Sequence, residues 1–224
     1  MFKYSTALVL GTLAASVLGH ININDPCIRG SQLPSCNAPN PDPDNIKSPI
    51  GSFNTEVYPL CHDSTPYPKP VATIKAGEPF PVHFRQDGAT HGGGHCEFSL
   101  SYDGGKTFVA LQTILGDCLA GSNPYDYNVP IPSDLPSSDK AVFAWTWVNK
   151  IGNREFYMNC ADVAVEGKPD GKLVGPEIVI ANYYPGGPSI AEFSSGDDGS
   201  DLYTQRPNVT VTASGVSDSG APSA

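Results

Sequence analysis

The sequence predicts an all-β fold, an antiparallel β-sandwich with long disulfide-linked loops, on three observations. No segment carries a sustained apolar period of 3.6 residues, so no long amphipathic helix is expected. Short stretches of alternating or continuous apolar character recur between residues 71 and 183, each bounded by Gly, Pro, Asn or Asp. The chain also holds six cysteines, an even number, together with 23 glycines and 22 prolines.

The elements follow in chain order. Residues 1–19 read as a secretory signal. Lys3 supplies a positive start, Ala7 to Leu18 an apolar stretch, and Val17 and Gly19 small residues at the two positions a signal peptidase inspects. Cleavage after Gly19 makes His20 the first residue of a domain expected to span 20–183. Asp25 to Pro70 is dense in Pro, Asn and Ser and contains three cysteines, which reads as a long cross-linked loop region with short helical turns. Val71 to Phe84 is a strand interrupted at Gly77-Glu78-Pro79. Cys96 to Tyr102 alternates apolar Phe98, Leu100 and Tyr102 with polar Glu97, Ser99 and Ser101; Asp103-Gly104-Gly105 turns the chain, and Thr107 to Leu115 returns as its partner. Ala141 to Val148 is apolar at nearly every position, as a strand buried on both faces would be. Gly152-Asn153 turns into a strand from Arg154 to Val165, and Glu177 to Tyr183 is expected as the last strand. From residue 184 to 224 Gly, Ser, Pro and Asp dominate, which predicts a disordered tail; its Asn208-Val209-Thr210 is the chain's Asn-x-Ser/Thr glycosylation acceptor.

Composition narrows the class of function. The net charge is −10, and −11 once Lys3 leaves with the signal. An acidic chain argues against nucleic acid and anionic membrane surfaces as partners. Beyond the signal no apolar run approaches the ~20 residues that span a bilayer, and the polar C-terminus lacks a lipid-anchor tail, so a secreted, extracellular protein is expected. In that oxidising setting Cys27, Cys36, Cys61, Cys96, Cys118 and Cys160 read as three disulfides, with many pairings formally open. A thiolate metal site is the alternative, but there is no Cys-x-x-Cys pair.

Three segments carry candidate chemistry. An N-terminal His20 would offer its α-amine and its imidazole to one metal ion. Gly88-Ala89-Thr90-His91-Gly92-Gly93-Gly94-His95-Cys96 puts His91 where backbone can approach closely and the ring is unobstructed; the plainer alternative is a glycine-rich surface loop. In Gly152-Asn153-Arg154-Glu155-Phe156-Tyr157-Met158-Asn159-Cys160, strand alternation puts Glu155, Tyr157 and Asn159 on one face, and Phe156, Met158 and Cys160 on the other. Glu155 and Tyr157 could then serve one small site; the alternative is a buried tyrosine with a single hydrogen bond beside a solvated glutamate.

Together, the mature start at His20, Ala89-Thr90-His91-Gly92-Gly93-Gly94, the run from Cys96 through Phe108, and Ala144-Trp145-Thr146-Trp147-Val148-Asn149-Lys150-Ile151-Gly152-Asn153-Arg154-Glu155-Phe156-Tyr157-Met158-Asn159-Cys160 resemble the fungal lytic polysaccharide monooxygenases, most nearly the chitin-active auxiliary activity family eleven. The opening His20-Ile21-Asn22-Ile23-Asn24-Asp25-Pro26-Cys27 departs from a Met-rich start, and His95 stands where a small polar residue is usual.

The resemblance implies an immunoglobulin- or fibronectin-III-like sandwich whose flat face carries one copper ion in a histidine brace. The ligands would be the α-amine and a ring nitrogen of His20 and a ring nitrogen of His91; nitrogen donors suit Cu(II). Tyr157 would be the weak axial ligand, Ala89 would crowd the opposite side, and Glu155 would hydrogen-bond the oxygen co-substrate. His95 is expected to be no ligand, and His62 and His83 structural or exposed. By the same resemblance the disulfides are Cys96–Cys118 and Cys61–Cys160, leaving Cys27–Cys36. The implied activity is copper-dependent oxidative cleavage of glycosidic bonds in an insoluble polysaccharide, chitin before cellulose, by a monomer using an external electron donor and hydrogen peroxide or dioxygen. A secreted non-catalytic copper-binding protein of the same fold, or a cell-wall binding module, are the alternative readings.

Overall fold

A computed structural model describes residues 20–52, 57–122, 124–183, 186–193, 196–213 and 215–219. The signal segment, and with it the cleavage after Gly19, lies outside the described residues. The chain's organising element is a pair of twelve-residue strands, β8 (Ser138–Asn149) and β9 (Glu155–Glu166), joined by a five-residue loop. They centre a six-stranded sheet. β8 is flanked by β5 (Gly94–Ser101) and then β6 (Val109–Ile114), all antiparallel. The free edge of β9 takes β2 (Gly51–Ser52) at one end and β3 (Ala72–Lys75), running parallel, at the other. A second, three-stranded sheet orders β1 (Ile23–Asp25), β4 (Phe80–Phe84) and β7 (Asp126–Val129). The two sheets face each other across the main core, the expected sandwich.

Strand alternation explains the packing. On β8, Ala141, Phe143, Trp145 and Trp147 point into the main core with Phe84, Phe98 and Val82. Val142, Ala144 and Val148 point the opposite way, into a second core with Phe156, Met158 and Cys160 of β9. The strand expected to be buried on both faces is therefore buried on both. The strand expected from Val71 to Phe84 is two, broken at Gly77, whose halves belong to different sheets.

Two expectations are corrected. Glu177 to Tyr183 is not a strand; the strand lies just before it, β10 (Leu173–Pro176). Ile178, Val179 and Ala181 are buried in the second core, but the backbone is satisfied singly, the Val179 N–H by the Glu97 carboxylate at 2.7 Å and the Ile178 N–H by the Phe108 carbonyl. Nor is the segment from residue 184 a disordered tail over its described residues. β11 (Asn208–Thr212) pairs with β10, and β12 (Gly215–Ser219) pairs with β11. Helix α1 (Asp201–Thr204) buries Tyr203, and Ile190 and Tyr203 complete the second core. Arg206 closes the cover with a two-point ion pair to the buried Glu97, Nη2 donating to Oε1 at 2.7 Å and Nη1 to Oε2 at 3.1 Å. The domain thus runs past residue 183. The physical reason is that the outer face of β8 and β9 is apolar and needs a cover. Asn208, the glycosylation candidate, is exposed on β11.

Cys27–Cys36, Cys61–Cys160 and Cys96–Cys118 are all bridged, with Cα separations of 5.4, 5.4 and 5.8 Å. The second ties the loop region to β9, and the third ties the start of β5 to the loop before β7. Among the described residues no helix is long and apolar enough to cross a membrane.

Candidate metal centre

Three remote pieces of chain meet at one end of the sandwich. His20 forms an isolated bridge with Ala89, and the Ile21 N–H donates to the Ala89 carbonyl at 3.2 Å. Gly88 permits this approach, since a Cβ there would stand 2.4 Å from the Ile21 Cα. His91 follows in a run of left-handed backbone: its own φ is 48°, and Gly92 and Gly93 are at 69° and 104°. The glycines adopt this freely; for His91 the conformation costs about 1–2 kcal/mol. The loop after β8 holds it there, the Ile151 N–H donating to the His91 carbonyl at 3.0 Å and the Lys150 N–H to the Gly93 carbonyl at 2.8 Å. A strained, over-determined backbone at a histidine is the pattern of a functional site.

The His20 and His91 rings lie 4.9 Å apart between centroids, inclined by 29°. Tyr157 completes the group, its ring 4.9 Å from His20, with Trp147 beneath it at 4.8 Å. The Tyr157 hydroxyl donates to the Glu155 carboxylate, as the shared strand face requires. Burial foremost, and then the bond to Glu155 and its charge, push the Tyr157 phenol well up, so it stays protonated. Burial also holds the His91 imidazole below its usual range, aided by the charge of neighbouring His20. His91 is thus neutral, as a metal ligand must be. Its Nε2 is buried with no hydrogen-bond partner among the described residues. An orphaned imidazole nitrogen on a ring stacked against a second histidine fits a cation that takes nitrogen ligands, such as copper. Among the described residues no three His, Cys, Asp or Glu side chains converge. The Nδ1 of His20 lies 3.1 Å from the Lys47 carbonyl, a contact to be exchanged if that nitrogen chelates metal together with its own amine.

His20, Ala89, His91, Glu155 and Tyr157 are therefore brought together. Asn159 shares their strand face but serves the fold, its Oδ1 accepting from the Ile23 N–H and its Nδ2 donating to the Ile46 carbonyl. His95 points the other way, with zero exposure, its Nδ1 accepting from the Gly116 N–H and its Nε2 donating to the Asp198 carbonyl, both at 2.9 Å. His62 is buried against the Met158 carbonyl, and His83 is exposed beside Asp126. Sequence reasoning missed Asn149. Its buried Nδ2 donates to the carbonyls of Ile151 and Asn153, and its Oδ1 accepts from the Glu155 N–H at 2.9 Å. One amide shapes the loop that carries both the His91 clamp and Glu155. The signal was an Asn at the end of a buried strand, three residues before Gly152-Asn153.

No family model matches the chain. Curated relatives do. The chain is 40% identical over 183 residues, 78% of its own length and 80% of the relative's, to AA11 family lytic polysaccharide monooxygenase A of Aspergillus fumigatus. It is 30% identical over 200 residues to AA11 family lytic polysaccharide monooxygenase B of the same species, and 29% identical over 181 residues to an AA11 family lytic polysaccharide monooxygenase of Aspergillus oryzae. These alignments take in 80% and 73% of the chain but only 45% and 39% of those two longer relatives. Among solved structures, the crystal structure of HiLPMO9B matches with a TM-score of 0.40 at 15% identity, covering 71% of this chain and 78% of that one, a likeness too loose to carry an argument about the site.

Proposed function

The chain belongs to the AA11 family of lytic polysaccharide monooxygenases, copper-dependent oxidoreductases, and from that membership we propose that it is a secreted enzyme that cleaves chitin oxidatively through a copper ion held in a histidine brace. The observation that carries this reading is the pairing of the His20 and His91 rings at 4.9 Å, with the His91 Nε2 buried and unpaired among the described residues. Cleavage after Gly19 frees the His20 amine, which joins one ring nitrogen from each histidine as the ligand set. Copper, when bound, supplies one-electron chemistry, with an external reductant and hydrogen peroxide or dioxygen as co-substrates and oxidation of a carbon at the glycosidic linkage as the result.

The chain's own residues serve that chemistry in separate ways. Tyr157 remains a neutral phenol, a weak oxygen donor beside the two imidazoles, and its proton points at Glu155. Glu155, half-buried at the strand end, accepts that proton's hydrogen bond and keeps a second oxygen for a donor arriving from solvent. Ala89 stands beside His20 with only a methyl group, restricting what can enter there. Ile151, 61% exposed on the loop that clamps His91, offers apolar surface to a solid substrate. Chitin is favoured over cellulose by the family alone.

The test is incubation of the copper-loaded, signal-processed protein with chitin and with cellulose, a reductant and peroxide, reading oxidised oligosaccharides by mass spectrometry. Oxidised chitin fragments that vanish with His91→Ala are expected. Hydrolytic products only, or oxidised products indifferent to that substitution, would overturn the reading; oxidised products from cellulose alone would overturn the substrate.

A further inference from the structure

One buried titratable group takes no part in the chemistry above. His95, on β5, has zero exposure and packs against the second core, its ring 4.5 Å from that of Phe193 and 5.0 Å from that of Tyr203. Both ring nitrogens are committed. The Gly116 N–H donates to Nδ1, and Nε2 meets the Asp198 carbonyl, each at 2.9 Å. The first bond fixes the tautomer: Nδ1 carries no proton, so Nε2 carries it and donates. Only the neutral ring can make both bonds. An imidazolium has donors alone and would set its Nδ1–H against the Gly116 N–H.

These two bonds join separate parts of the frame around His91. Asp198 belongs to the cover, with Phe193 and Tyr203. Gly116 backs the glycine run that follows His91: its carbonyl accepts from the Gly94 N–H at 3.2 Å, and a Cβ on Gly93 would stand 2.9 Å from that oxygen. The Cys96–Cys118 bridge fixes the same loop two residues further on. At Gly116 itself the side chain that fixes it is His95.

Burial foremost holds the His95 imidazole below its ordinary 6.5. Asp198, with a carboxylate oxygen 4.0 Å from Nε2, and Glu97 pull the other way, while Lys150 adds to the lowering. Glu97 is paired with Arg206, and Arg154 stands behind Phe193, its guanidinium carbon 5.8 Å from that ring. The Tyr203 phenol is pushed up by burial and stays uncharged, and Asp117 beside Gly116 is exposed.

We propose that His95 is a positioning residue for His91, a clasp that closes only in its neutral form. A proton arriving at Nδ1 in acid breaks the bond to Gly116 and loosens the glycine run that Gly116 backs. The frame of His91 is therefore firm at neutral pH and slackens as His95 is protonated. The inference rests on the reading of His91 as a site residue, yet its test needs no metal, so a failure to bind copper would sink that reading and leave this measurement standing.

The test uses isotope-labelled protein beginning at His20, free of metal, between pH 7 and pH 4. NMR of the imidazole nitrogens reads the tautomer and titration of His95. Amide hydrogen exchange reads the protection of Gly93, Gly94 and Gly116, with Trp145 on the central strand β8 as reference. The expected result is the Nε2–H tautomer at pH 7 and protonation below 6.5. On that same curve protection at the three glycines should fall about tenfold or more relative to Trp145. His95→Gln offers an acceptor and a donor but cannot take the proton, and should keep the protection down to pH 4. His95→Leu, with neither group, should lack it at every pH. A proton on Nδ1 at pH 7, protection that does not follow the His95 titration, the same acid loss in His95→Gln, or a loss shared by Trp145 would each overturn the proposal. Where a variant folds poorly, the coincidence of the two curves in the unsubstituted protein decides.

Discussion

Asn149 frames the loop after β8 with three hydrogen bonds from one amide, a role that can be tested singly. Asn149→Ala removes three hydrogen bonds, two to loop carbonyls and one from the Glu155 N–H, and leaves the loop only the Arg154 guanidinium on the Asn149, Lys150 and Gly152 carbonyls as an internal frame. A loss of about 2–3 kcal/mol in thermal unfolding is expected, with weaker holding of His91; an unchanged melting temperature would show that the loop frames itself. His62 makes a pH prediction. Burial foremost lowers its pKa to about 4, against 6.5 unfolded. The unfolded chain takes up this proton as pH falls below about 6.5, whereas the folded chain resists until about pH 4. The stability it contributes is full above that upper value and lost through the window, up to about 3 kcal/mol. Burial shifts His95 in the same direction. Melting temperature should fall from pH 7 to pH 4, and His62→Gln should flatten that slope; an equal slope in the variant would contradict the assignment. At this scale the grouping of His20, His91 and Tyr157 was legible, because their residue types suggest chemistry. The site was illegible where an ordinary residue acts through the backbone, as do Asn149, Gly88 and the Lys47 carbonyl.

Strands and turns were legible where alternation and glycine punctuate them, as in the β5–β6 hairpin and the β8–β9 pair. Glu177 to Tyr183 misled because its apolar residues are buried without a partner strand, a distinction that hydropathy cannot carry. The polar half of the alternation on β5 is no solvent face: Glu97, Ser99 and Ser101 are buried. The glycines of the His91 loop make a comparative prediction. Gly94 has φ 148°, and a Cβ there would meet the Val148 carbonyl oxygen at 2.0 Å, whereas Gly104 has φ 79° and open space around it. Gly94→Ala should cost about 3 kcal/mol or more, combining strain and collision, and Gly104→Ala only about 1 kcal/mol. Equal losses by chemical denaturation would show that the collision is relieved by a shift of β8.

The described residues form a sandwich with a second core on the outside of its larger sheet, covered by Ile178, Val179, Ala181, Ile190 and Tyr203. The apolar face of Val142, Ala144 and Val148 already demanded that cover; polar composition after residue 184 hid where it came from, because a few anchors, Ile190, Tyr203 and Arg206, do the packing. Arg206→Met should therefore cost about 3–5 kcal/mol by stranding the buried Glu97, while Glu97→Gln combined with Arg206→Met should cost less. Losses that simply add would show that the pair is not coupled. A brace that uses the His20 amine exists only in the molecule as processed, with His20 at its start. The most direct measurement is the Cu(II) electron paramagnetic resonance spectrum and copper affinity of the protein beginning at His20, set beside a form carrying one extra glycine before it. A single tight site with coupling to three nitrogens, weakened about a hundredfold or more when the glycine masks the amine, is the predicted result. Equal affinity and the same spectrum in both forms, or no stoichiometric copper in either, would contradict the account.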